Sequence, residues 1–170
     1  MTIPTNPIRQ RLIRLASWYR RAVGVLDAAQ PLAAVLARCY VAQVFFLSGL
    51  TKLRDWDITL ALFEDEYKVP LLPHAVAAVM GTAGELVLPV LLVVGLAGRF
   101  ASLGLFVVNA VAVISLAEIA PAALQQHMLW GTLLAGLATY GGGQWAMDRW
   151  LAQHWTKLSA RQDGTHKTQA

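Results

Sequence analysis

Between residues 32 and 143 the chain gathers most of its apolar residues into four long stretches, about 32–51, 72–96, 99–118 and 126–143. No other feature restricts its fold so tightly. A hydrocarbon layer about 30 Å thick is crossed by about 20 apolar residues in helical form, because a helix satisfies its own backbone hydrogen bonds where no water is at hand. Only 14% of the residues are charged, against roughly a quarter in an ordinary soluble domain. The expectation is an all-α polytopic membrane protein: a four-helix bundle preceded by an interfacial amphipathic helix. Its parts are an arm over 1–30, the membrane domain over 31–150 and a polar cytoplasmic tail over 151–170.

The arm, IRQRLIRLASWYRRAVGVL at 8–26, places Ile8, Leu12, Leu15, Tyr19, Val23 and Leu26 on one helical stripe, with Arg9, Arg14, Arg20 and Arg21 largely off it. That pattern suits a helix lying in the headgroup layer. It does not resemble a cleaved leader, since no short apolar core precedes a small-residue cleavage site. The connection RDWDITLALFEDEYKVP repeats Trp56, Leu60, Phe63 and Tyr67 at helical spacing with acids on the other side, which predicts a short surface helix ended by Pro70. A tight LAGR turn joins the second and third stretches, and EIAPAALQQ joins the third and fourth. The last stretch ends at Gly141–Gly142–Gly143, and the tail from Ser159 reads as disordered.

Lysine and arginine counts set the expected orientation. Five in the arm, Arg99, and four in the tail make ten on one side, against Lys52, Arg54 and Lys68 on the other. The excess places both termini in the cytoplasm. The net charge of +4 therefore fits a lipid surface, and no basic patch interleaved with aromatics points to nucleic acid. The single cysteine, Cys39, permits no intrachain disulfide.

Two charges fall inside apolar stretches. Arg38 lies in the first and Glu85 in the second, each costing roughly 2.5–3.5 kcal/mol on insertion scales. Counted along antiparallel helices, they come to nearly equal depth, which predicts that they are partners. Arg38, Ala42, Phe45, Ser48, Gly49 and Lys52 share one face, as do Ala77, Gly81 and Glu85; the small residues let these faces meet. Pro89 lacks an N–H and frees the carbonyl of Glu85, a second acceptor for the guanidinium. Asn109 is expected to complete an intramembrane polar cluster of Arg38, Glu85 and Asn109. Ser48, Lys52, His74 and His127 are candidates at the outer rim.

Arg38, the FFLSGLTKL run from Phe45 to Leu53, Val69–Pro70, the GELVLPVLLVVGLAGRFASLGL segment and the stretch from Tyr140–Gly141 to Asp148 together resemble the DoxX family, over roughly residues 31–150. Ala42 stands where that family usually has glycine, and GGGQWAMD replaces its more typical ending. The resemblance implies a small four-helix protein of a bacterial or archaeal cytoplasmic membrane. It also implies association with redox complexes, in one case a thiosulfate:quinone oxidoreductase.

The cluster supports two readings. It is a staple fixing helix register, or it is a proton or quinone-headgroup site in which Arg38 donates to a carbonyl and Glu85 exchanges a proton. His74 and His127 lack the convergent spacing of a metal site, so no metal is expected. No CxxC, GxGxxG, P-loop or nucleophile elbow is present, and no catalytic residue is assigned. The chain is expected to carry no cofactor of its own, with quinone as its candidate ligand. Its expected partners are the bilayer and an oxidoreductase subunit, and a homo-oligomer stays open. The rival reading is a non-enzymatic scaffold, assembly factor or component handling metals or small solutes.

Overall fold

The computed structural model describes residues 7–141 together with Met147 and His154. Among the described residues the chain is all-helical, with five helices and no strand: α1 (Pro7–Arg54), α2 (Trp56–Asp65), α3 (His74–Val94), α4 (Gly98–Ser115) and α5 (Pro121–Tyr140). It forms two units, Met1–Ala33 and Ala34–Ala170, which are taken separately.

In the first unit the expected arm is the opening part of α1; residues 8–26 are not bounded as a helix of their own, and Pro31 lies within α1. The stripe of Ile8, Leu12, Leu15 and Tyr19 is exposed. Arg21 stacks over Trp18 with 6.0 Å from guanidinium to ring centre.

In the second unit α1, α3, α4 and α5 build one apolar core: Ala34, Val41 and Phe45 meet Leu92, Ala101, Leu105, Leu134 and Leu137. The stripe on α2 packs as its periodicity predicts, Phe63 burying itself on Ala77 and Ala78 of α3 with Trp56, Leu60 and Tyr67 alongside. Thr59 ties α2 back to α1, its hydroxyl donating to the carbonyl of Lys52 at 3.0 Å. The connection from α3 to α4 closes through two left-handed residues, Gly95 (φ 73°) just before the LAGR turn and Ala97 (φ 50°) within it. Only the second departs from the usual glycine of that region.

Among the described residues three helices are long and apolar enough to cross a membrane: α1, α3 and α4. The fourth expected span, 126–143, corresponds to the helical α5, which is not one of those three. Pro121, Gln125, Gln126, His127, Thr132 and Thr139 dilute its apolar content. The expected Gly142–Gly143 end, the disorder from Ser159 and the tail over 151–170 fall outside the described residues, apart from His154.

A candidate polar site at the level of Gly49

Three close approaches define one level across the helices. A Cβ at Gly49 of α1 would stand 2.8 Å from Leu86 Cγ and 3.1 Å from Glu85 Cβ of α3. One at Gly84 of α3 would stand 3.1 Å from Val108 of α4, and one at Gly131 of α5 would stand 3.2 Å from Asn109 Nδ2 of α4. Residues 49, 84–86, 108–109 and 131 are thus neighbours, and the polar side chains of α1, α3, α4 and α5 collect around them.

On the α1–α3 side, Lys52 donates to Glu85 Oε2 at 2.5 Å and to Ser48 Oγ at 3.0 Å. The lysine side chain keeps 21% of its surface exposed and the glutamate 9%, so the pair is mostly withdrawn from its surroundings yet reachable from the lysine side. One turn before Glu85 on α3, the buried hydroxyl of Thr82 has no hydrogen-bond partner among the described residues. An unsatisfied buried hydroxyl costs about 1–3 kcal/mol. Tyr67 lies close enough to be affected: burial first, then Glu66 and Glu85, raise its phenol above the ordinary value of 10.0.

On the α4–α5 side, Asn109 holds His127 at two points. Its Nδ2 donates to the His127 backbone carbonyl at 2.9 Å, and its Oδ1 accepts from His127 Nδ1 at 2.8 Å. The ring of His127 meets Trp130 edge-on, with centres 5.0 Å apart. Trp130 in turn meets Phe45 of α1 at 6.0 Å and donates to the Tyr40 hydroxyl at 3.4 Å.

The expected Arg38–Glu85 pair is corrected here: Glu85 is held by Lys52, and the Arg38 Nε donates to the carbonyl of Ala34 in its own helix at 3.3 Å. Register is the reason. Gly49, not Arg38, stands opposite Glu85, and the eleven helical steps from Arg38 to Gly49 span about 16 Å. Arg38 is nevertheless buried, at 3% exposure, and makes no ion pair among the described residues. The face shared by Arg38, Ala42, Phe45, Ser48, Gly49 and Lys52 was readable in the sequence; which of its two cations meets Glu85 was not. Asn109 shares the level of Glu85, but its bonds go to His127. Ser48, Lys52 and His127 join this level. His74 does not, since it opens α3 eleven residues, or about 16 Å, from Glu85. No group of three His, Cys, Asp or Glu that could hold a metal converges among the described residues.

Below the Lys52–Glu85 pair a groove of about 330 Å³ opens between α1 and α3, walled by Cys39, Ala42, Gln43 and Phe46 on one side and Pro89, Val90, Val93 and Val94 on the other. Its wall is almost wholly apolar.

No curated protein and no solved structure matches the chain. The DoxX family model matches residues 33–118, just over half of the chain, a segment that includes Arg38, Ser48, Lys52, Glu85 and Asn109 and stops short of His127. With three helices apolar enough to span a bilayer, this chain belongs to the DoxX family of membrane proteins.

Proposed function

We propose that the protein is the membrane subunit of a quinone-linked redox system and draws its electrons from a partner subunit's cofactor. In this reading α5 is a fourth span, and the protein is a four-helix bundle of the bacterial cytoplasmic membrane with both termini inside. At 20 residues α5 is long enough for a layer about 30 Å thick. The exposed stripe of the arm lies in the inner headgroup layer, anchored by its arginines.

The observation that carries the reading is the Lys52–Glu85 pair, reachable from the lysine side, in which the last turn of α1 brings a cation to a carboxylate in the middle of the apolar α3. Intramembrane ionisable groups mark ligand and proton paths more often than they mark simple packing. Lys52 supplies N–H donors to a quinone carbonyl, and Glu85 is a carboxyl group able to exchange a proton as the headgroup is reduced. The apolar groove along the same two helices suits an isoprenoid tail.

The test is purification in native-lipid discs followed by solvent extraction and chromatography of isoprenoid quinones. Wild-type protein should carry quinone, and Lys52→Met and Glu85→Gln should each lower its content severalfold. A folded wild type that brings neither quinone nor an oxidoreductase partner would establish the rival reading, a scaffold in which the pair only fixes helix register.

A further inference from the structure

We infer that His127 is a hydrogen-bond acceptor that selects the reduced, hydroxyl-bearing form of the headgroup. The inference rests on the quinone-linked reading and adds to it a residue and a preference between redox states.

The chemistry follows from the grip of Asn109. A backbone carbonyl can only accept, so the Asn109 atom 2.9 Å from the His127 carbonyl is its amide nitrogen. The other end of the same amide, 2.8 Å from His127 Nδ1, is therefore the oxygen, and it too can only accept. The proton of the neutral ring is thereby fixed on Nδ1, and Nε2 presents a lone pair. No carboxylate forms an ion pair with the ring among the described residues, and no hydrogen bond to Nε2 is present among them. Asn109 itself is buried, at 5% exposure, so the grip is not a loose surface contact.

Position brings this lone pair to the same end of the helices as Lys52. His127 stands one turn from Trp130 on α5, and Ser48 and Lys52 stand one and two turns from Phe45 on α1. The Phe45–Trp130 edge contact joins those helices beneath both. At that end α1 thus offers donors, through Lys52, and α5 an acceptor, through His127. A quinone has two carbonyl acceptors and gives Nε2 nothing; a quinol has hydroxyl donors and satisfies it. No electron transfer is needed for this preference, which is a matter of binding alone.

The experiment uses full-length protein in discs depleted of endogenous quinone. Binding of a short-tailed benzoquinol and of the matching benzoquinone is measured anaerobically by calorimetry. Wild type should favour the quinol. His127→Phe, which keeps a ring against Trp130, should weaken quinol binding about three- to tenfold, the worth of one hydrogen bond, and leave quinone binding unchanged. Asn109→Leu frees the ring to carry its proton on either nitrogen and should shrink the preference. To separate loss of binding from loss of fold in these variants, nitrogen NMR of the unmodified protein labelled at histidine, assigned with His127→Gln, is the second measurement. The His127 Nε2 should be unprotonated and should shift with quinol but not with quinone. Quinol and quinone that both bind, with an Nε2 indifferent to either, would overturn the inference and leave the redox reading standing. Wild type that binds neither would overturn both.

Discussion

Lys52 reaches Glu85 from one turn beyond Gly49, the residue whose missing Cβ lets α1 and α3 approach. The contact and the charge pair therefore depend on one another. The glycine sets the register, and the register brings the nearer of two cations on the α1 face to the carboxylate.

Packing at Gly49 can be tested against a glycine with room around it. A Cβ at Gly49 would stand 2.8 Å from Leu86, whereas one at Gly136 would meet nothing within 4 Å. Gly49→Val should therefore lower thermal stability in detergent, by roughly 1–3 kcal/mol for an overpacked site. Gly136→Ala should be neutral or stabilising by up to about 1 kcal/mol through helix propensity. Equal effects at the two positions would refute the close approach.

Much of this was legible beforehand and one part was not. The α2 stripe of Trp56, Leu60 and Phe63 announces its packing by spacing alone, and the face carrying Arg38, Ser48 and Lys52 follows from helical geometry. Register between helices is a different quantity, because it depends on where each helix ends. Ending the first span at 51 and starting the second at 72 puts Arg38 and Glu85 at equal depth. The helices run to Arg54 and from His74, which leaves Arg38 sixteen residues from its helix end and Glu85 eleven from its own, about 7.5 Å of the offset. The rest arises because the two ends are not level: Gly49, five residues from Arg54, stands beside Glu85. Hydropathy marks where apolar residues stop, and helices continue past that point when, as with Thr59 on Lys52, a neighbouring element caps them. The Asn109–His127 grip was hidden for a similar reason: each residue appeared alone in its stretch.

Tyr67 reports the charge at Glu85 from the connection between α2 and α3. Its phenol is raised above 10.0 chiefly by burial, with Glu66 and then Glu85 adding to the effect. Keeping the phenol protonated stabilises the fold below pH 10, and that contribution is lost as the pH climbs through the raised value. Ultraviolet titration should show one tyrosine ionising late, and Tyr67→Phe should remove that phase. Glu85→Gln should move it only part of the way down, because burial remains. A late phase that survives in Tyr67→Phe would contradict the assignment.

Orientation is tested by labelling in a Cys39→Ala background. A cysteine placed at Asp57 should react with an impermeant thiol reagent applied to the outside of whole cells, and one placed at Ser159 should react only after lysis. The opposite pattern would invert the proposed topology, in which ten basic residues lie inside and three outside.

The most direct test of the account is a pair of double-mutant cycles read as thermal stability in detergent: Lys52→Met with Glu85→Leu, and Arg38→Met with Glu85→Leu. Breaking the Lys52–Glu85 pair from either side strands a charge and should cost roughly 3 kcal/mol, the low end for a buried pair because the lysine is partly exposed, and removing both should restore most of it. Arg38→Met removes a buried cation with no ion-pair partner, so it should be neutral or stabilising and additive with Glu85→Leu, as befits side chains whose helix levels differ by about 16 Å. Additivity in the first cycle and strong coupling in the second would contradict the account and return Glu85 to Arg38.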